Sequence, residues 1–139
     1  MMIRVTPIQP AQRARLRAGA ARAVTEGLDA AARDAQSQLA MIVSPWTHHV
    51  VFAITAPSAT VREVATDDAI FRYQDAGTPP HEIRPRARRM LRFSVGGTEV
   101  FARRVRHPGT RAQHYTTTIA DRMTARLANH IRVAVLRQL

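Results

Sequence analysis

The chain has 139 residues, 45% of them apolar, a formal net charge of +11 and a pI near 11.8. That length suits one domain around a single modest core. Cysteine is absent, which excludes a disulfide framework and a thiolate metal site. No apolar run reaches the roughly 18–20 residues of a membrane span. The opening MMIRVTPIQPAQRARLR has no apolar stretch of the kind a secretory signal carries. The expectation is a soluble intracellular chain with no membrane partner. All 21 basic residues are arginine. High arginine and alanine without lysine is what a GC-rich coding sequence produces, so part of the basicity is compositional. A compact basic domain still attracts polyanions without regard to sequence.

Residues 1–9 read as a short extended lead. Pro10 is tolerated in the first turn of a helix, and from there to about residue 42 the pattern is helical. Leu16, Ala20, Val24, Leu28, Ala31, Ala35, Leu39 and Ile42 recur at steps of three and four and make an apolar stripe. Gly19 and Gly27 weaken that helix, so a kink is expected near one of them. Pro45 ends it, because Ser44 before a proline is pushed out of the helical region. His49–Thr55 and Thr60–Thr66 read as two strands of a hairpin, with Pro57-Ser58 as the turn. Ile70–Tyr73 reads as a third short strand, with a helical turn capped by Asp67 or Asp68 as the alternative.

The chain is organised around residues 76–111. A turn cluster, Gly77-Thr78-Pro79-Pro80, leads into an extended piece, His81–Arg84, which Pro85 stops. Two apolar runs follow, Met90–Val95 and Val100–Val105, separated by Gly96-Gly97. Leu91, Phe93 and Val95 alternate with Arg92 and Ser94, the period of a half-buried strand. Two glycines at the joint supply the positive φ that tight hairpin turns require. The segment is therefore an extended, Pro-bounded arm, about 76–90, followed by a β-hairpin. From about residue 113 to 138 the pattern is helical again. Tyr115, Ile119, Met123, Leu127, Ile131 and Val135 follow at four-residue steps. The fold class expected is α+β in a single domain, residues 1–139. Both amphipathic helices would pack on one small antiparallel sheet made within 49–105.

Residues 73–110 resemble a known family. Tyr73, Gly77, Thr78, Pro80, His81, Ile83 and Pro85, then Leu91 and Phe93, then Val105, His107, Pro108 and Gly109, follow the pattern of phage neck proteins. These are the head–tail connector or tail-completion proteins of long-tailed phages and prophages. The resemblance implies a structural virion protein, made in the host cytoplasm and located in the neck. It would form or join a homo-oligomeric ring, a hexamer being favoured, between head and tail. Its partners would be other neck and tail proteins, with DNA passing through the lumen in non-specific contact. A tail-terminator or head-closure ring protein is the neighbouring possibility. An arm of this kind can add to a neighbour's sheet edge. Thr78, Pro79, Pro80, His81, Ile83 and Pro85 are thus the expected subunit interface. Arg84, Arg86, Arg88, Arg89, Arg103, Arg104 and Arg106 are the candidates for facing DNA or an acidic partner.

The residues offer no positive argument for an enzyme, a cofactor or a metal. The six histidines, His48, His49, His81, His107, His114 and His130, lack the paired spacing of a zinc site. Asp67, Asp68 and Asp75 read as turn and capping residues rather than a general acid/base pair. Gly96-Gly97 lacks the helix and lysine that follow a phosphate loop. No helix-turn-helix or aromatic single-strand-binding motif is present, so any DNA contact would be to phosphates. A free basic DNA-binding protein is the competing reading.

Overall fold

A computed structural model describes residues 9–138; the extended lead expected for 1–9 lies, apart from Gln9, outside the described residues. The fold is α+β. In chain order the elements are α1 (Pro10–Val43), β1 (Ala53–Ser58), β2 (Val61–Ala65), α2 (Ala69–Ala76), β3 (His81–Ile83), β4 (Leu91–Val95), β5 (Thr98–Ala102), β6 (Val105–His107) and α3 (Tyr115–Leu136). The strands make three separate two-stranded antiparallel pairs, β1–β2, β3–β6 and β4–β5, instead of one sheet. The chain divides into two compact units. One holds the residues up to Asp67 and from Tyr115 on; the other is Asp68–His114. Among the described residues no helix is long and apolar enough to cross a membrane.

The first unit is a helix pair with a hairpin against it. At 1.5 Å per residue α1 is about 51 Å long and α3 about 33 Å. They run antiparallel. Arg122 donates to Gln38, Arg126 to Asp34, and Ile131 lies against Gly27. The helix runs unbroken through Gly19 and Gly27. The face of α1 that is buried is Ala23, Gly27, Ala31, Ala32, Leu39 and Val43. This is a smaller and rotated version of the predicted stripe. Leu16 is 59% exposed. The smallest side chains win the contact because they let two helix backbones approach closely. On α3 the predicted ladder holds at Ile119, Met123, Leu127 and Ile131, then turns away. Four residues advance about 400°, so a strict i+4 row rotates about 40° per step. By Val135 it has left the contact, and Ala134 is buried instead.

Val50 and Phe52 are buried, but they precede β1 rather than belonging to it. Gln36 of α1 donates to the Phe52 carbonyl at 2.6 Å and holds the segment down. The hairpin turn is Ala59-Thr60, and Pro57 sits within β1, where the register shifts between Thr55 and Ser58. A proline has no N–H for the ladder, which explains the irregularity. Arg62 fixes the hairpin to the helix. Its guanidinium donates to Asp29 at 2.5 Å and to the carbonyls of Ser58 and Val61.

Asp34 is the polar hub of the helix pair. It accepts from Gln38 at 2.8 Å, His130 at 3.2 Å and Arg126 at 3.4 Å. The Gln38 amide holds its carboxyl below the ordinary 3.8; burial opposes this, and His130 and Arg126 add to the lowering. A depressed carboxylate contributes stability above its unfolded value and loses it as pH falls through the folded one. Asp34→Asn should therefore lower the melting temperature at pH 7 by the equivalent of about 1 kcal/mol. The gap to the parent chain should close below about pH 4. A gap that persisted unchanged at low pH would show that the carboxylate charge is not what matters.

The second unit begins with a correction. Ile70–Tyr73, read as a strand, lies in the first half of helix α2, with Asp68 as its N-cap. The Asp68 carboxylate accepts the Phe71 N–H at 2.7 Å, satisfying a donor that the first helical turn leaves free. The cap, present in the sequence as Asp67-Asp68, outweighs the β-propensity of Ile-Phe. Phe71, 3% exposed, is the one buried hydrophobic residue in this unit.

Candidate functional site

The two ends of the second unit are zipped together over ten residues of each strand. The α2 carbonyls of Gln74 and Asp75 accept the N–H groups of Gln113 and His114, each at 3.0 Å. Thr78 and Thr110 then exchange backbone hydrogen bonds at 2.9 and 3.0 Å. Beyond them β3 pairs with β6, His81 opposite His107, Glu82 opposite Arg106, and Ile83 opposite Val105. His114 is the single non-glycine residue with positive φ among the described residues, at 55°.

Two glycines permit this closeness. A Cβ on Gly77 would lie 2.7 Å from the Thr110 carbonyl oxygen, and one on Gly109 would strike the Thr78 carbonyl oxygen and sit 3.0 Å from Pro79 and Pro80 backbone atoms. Both have positive φ, 74° and 92°, a region open to glycine at little cost.

The histidines lock the turns. His81 Nδ1 lies 2.9 Å from the Pro79 carbonyl, which can only accept, so this nitrogen carries the proton. His107 Nδ1 accepts the Gly109 N–H at 3.0 Å, so its proton sits on Nε2. The two rings stack, with centroids 5.0 Å apart and planes at 29°. Pro80-His81 and His107-Pro108 are thus two halves of one structure, brought together from opposite ends of the segment.

Alternation gives the β3–β6 ribbon two unlike faces. His81, Ile83, Val105 and His107 share one. Glu82 and Arg106 share the other, flanked by Arg84 and Arg104. Glu82 pairs with Arg84 at 2.5 Å and lies 3.8 Å from Arg104. Pro80, His81, Glu82, Arg104 and Arg106 line an open recess of about 610 Å³ along the ribbon.

The predicted arm thus splits in two. Its extended part, 77–83, has its main-chain bonds to 105–110 of the same chain, leaving the outer edges of β3 and β6 unpaired among the described residues. The remainder, 84–90, has no regular structure, and every residue in it but Pro85 is exposed. Thr78 is half-buried; Pro79, Pro80, His81 and Ile83 are exposed. Arg86, Arg88 and Arg89 stand together in the irregular part, and Arg103 is exposed where the chain bends between β5 and β6. In the β4–β5 hairpin the predicted alternation holds at Leu91 and Phe93, both half-buried, whereas Val95 is 58% exposed. Gly96 and Gly97 take φ of 57° and 84° in the turn, and Phe93 faces Val100. On the outer face Arg92 pairs with Glu99 and lies opposite Phe101.

Sequence reasoning missed Thr110, Gln113 and His114 as partners of the arm, and Glu82 as the anion between arginines. The mirrored Pro-His and His-Pro pairs were the available signal. Among the described residues no three metal-ligating side chains converge. Comparison of the chain with family models, curated proteins and solved structures finds no match in any of the three.

Proposed function

We propose that this chain is a structural component of a phage neck, a head–tail connector or tail-completion protein that forms or joins a ring through which DNA passes. One observation carries the reading. The two halves of the neck-protein pattern, 77–85 and 105–109, meet in one zipped ribbon whose outer edges are unpaired among the described residues. An isolated two-stranded ribbon is marginal in water, and this unit buries Phe71 as its sole large apolar residue. Ile83, Met90, Val95 and Phe101 are 38–58% exposed. A neighbouring subunit that covers those residues and pairs with the β3 or β6 edge would supply what the unit lacks. The role is mechanical, and no catalytic step is assigned to it.

The test is to replace residues 78–86 with a Gly/Ser linker. The expected product retains its helical circular dichroism but no longer joins purified necks or forms rings in native mass spectrometry. Normal particle assembly with that linker would sink the proposal.

A second reading, a free non-specific DNA-binding protein, draws on Arg86, Arg88 and Arg89, which form no ion pair among the described residues. Between 68 and 114 there are ten arginines and four acids. It calls for duplex binding by the isolated chain that weakens steeply between about 50 and 200 mM salt. Such binding, together with indifference to necks, would favour it.

A further inference from the structure

Residues 84–90, Arg-Pro-Arg-Ala-Arg-Arg-Met, join β3 to β4. They have no regular structure, and all but Pro85 are exposed. Beyond Arg84, no residue of the segment makes a hydrogen bond or an ion pair among the described residues. Both ends are anchored, because β3 pairs with β6 and β4 with β5. Between those anchors the backbone has nothing to give up when it enters a protease cleft, the condition under which exposed loops are cut.

The side chains narrow the protease class. In a serine protease with an acidic pocket, the residue before the scissile bond must be a cation. Arg89, before Met90, fits that pocket. Arg88 stands one position further back and Arg86 three, where further acidic groups of a cleft would take them. The nearest acid in sequence, Glu82, is already held by Arg84 and Arg104. The Arg84–Pro85 bond is a poor substrate, because the proline ring removes the N–H and fixes φ. The other adjacent arginine pair, Arg103-Arg104, is exposed too, but β5 ends at Ala102 and β6 begins at Val105. Three positions before Arg104 stands Phe101, where Arg89 has Arg86.

We propose that Arg86-Ala87-Arg88-Arg89 is a processing site for a serine endoprotease that recognises paired arginines and hydrolyses the Arg89–Met90 bond. Water adds across that bond: its hydroxyl goes to the Arg89 carbonyl carbon and a proton to the Met90 nitrogen. The products are a carboxylate on Arg89 and an ammonium on Met90. The fold outlasts the cut. The first fragment keeps α1, α2 and β3, and the second keeps β6 and α3. Arg122 and Arg126 of α3 still reach Gln38 and Asp34 of α1. The ribbon still joins β3 to β6, and the bonds from Gln113 to Gln74 and from His114 to Asp75 remain. What changes is the β4–β5 hairpin, which makes no extensive contact with another element. Tied at both ends before the cut, it becomes an arm attached only at Arg103. That arm carries Met90, Val95 and Phe101, all 45–58% exposed.

The experiment digests the full chain with traces of two enzymes, trypsin and a subtilisin-type endoprotease specific for paired arginines. Denaturing mass spectrometry should find the paired-arginine enzyme cutting after Arg89 at least about ten-fold faster than after Arg104. Native mass spectrometry of the same sample should show both fragments still together, heavier than the parent by one water. Arg86→Gln should slow the paired-arginine enzyme about ten-fold or more, while trypsin, which reads the residue before the bond, opens the segment at the parent rate. Arg89→Gln should stop the cut by the paired-arginine enzyme. Because both residues are exposed and unpaired among the described residues, neither variant should move the melting temperature. Cutting at Arg104 as fast as at Arg89 would overturn the proposal, as would no cut at all. So would fragments that separate under native conditions, or an Arg86→Gln chain cut by both enzymes at parent rates, the mark of a merely labile loop. The digestion needs no neck particle, so its outcome is independent of the assembly test above.

Discussion

Gly27→Ala should destabilise the protein, and Gly19→Ala, eight residues earlier in the same helix, should stabilise it. Both substitutions gain up to about 1 kcal/mol of helix propensity. What differs is the space each new methyl finds. At Gly19 the nearest atom is the end of the Gln138 side chain at 3.6 Å, an ordinary contact. At Gly27 the methyl would lie 2.7 Å from Ile131 Cα, 2.7 Å from its Cγ1 and 2.9 Å from its N. Two of those atoms are backbone and cannot rotate away. The helices would have to separate by some tenths of an ångström, loosening the close-packed contact around Ala23, Ala31 and Ala134 as well. Overpacking of this kind costs about 1–3 kcal/mol, which exceeds the propensity gain. The expected net loss for Gly27→Ala is about 1–2 kcal/mol, or about 3–8 °C in melting temperature for a chain of this size. Gly27→Leu should cost more than about 3 kcal/mol. Gly19→Ala should raise the melting temperature by a few degrees. Thermal melts followed by far-UV circular dichroism decide it; shifts of the same sign at both positions would refute the close approach of α1 and α3 at Gly27.

That pair of glycines also marks where sequence reading works and where it stops. Helix existence and extent were legible for α1 and α3, because three- and four-residue periodicity over many turns is a strong signal. The contact face was not, because hydrophobicity ranks Leu16 and Leu28 above Gly27, whereas close helix packing ranks them the other way. The β4–β5 hairpin was legible from its alternation and from Gly96-Gly97, since positive φ at both turn positions has few chemical solutions. Helix α2 was misread because Ile70-Phe71 favours strands locally, and one side-chain cap at Asp68 reverses that preference. The pairing of 77–83 with 105–110 was beyond local rules altogether. Its register depends on partners some thirty residues apart, and only the recurrence of Pro-His and His-Pro hinted that the two turns belong together.

The ribbon those turns close is held by few hydrogen bonds and tolerates little added bulk. Gly109→Ala should open it. The new methyl would strike the Thr78 carbonyl oxygen and crowd Pro79 and Pro80, at a residue whose φ is +92°. Backbone strain at that φ costs about 1–2 kcal/mol before any collision is counted, and prolines cannot move aside without dragging β3 with them. Few hydrogen bonds resist, and the ribbon covers no core of its own, so opening is cheaper than accommodating the methyl. Hydrogen exchange reads this directly. The amides of Thr78, Thr110, Gln113 and His114, bonded across the ribbon, should be protected in the parent chain and exchange freely in the variant. Amides of α1 and α3 around Gly27 and Ile131 should be unchanged. Gly96 is the control for strain without collision. Its φ is +57° and nothing lies within 4 Å of an added Cβ. Asparagine tolerates that conformation, so Gly96→Asn should leave the hairpin intact, while Gly109→Asn should fail as Gly109→Ala does. If Gly109→Asn kept Thr78 and Thr110 protected, the contact between the two turns would not be as close as described. If it lost protection yet the chain still joined necks normally, the ribbon would be dispensable for assembly. The interface would then have to be sought in the exposed residues 84–90 or the outer face of β4–β5. Loss of both together, with the helix pair still folded, is the outcome expected if, as proposed, neighbouring subunits complete the ribbon.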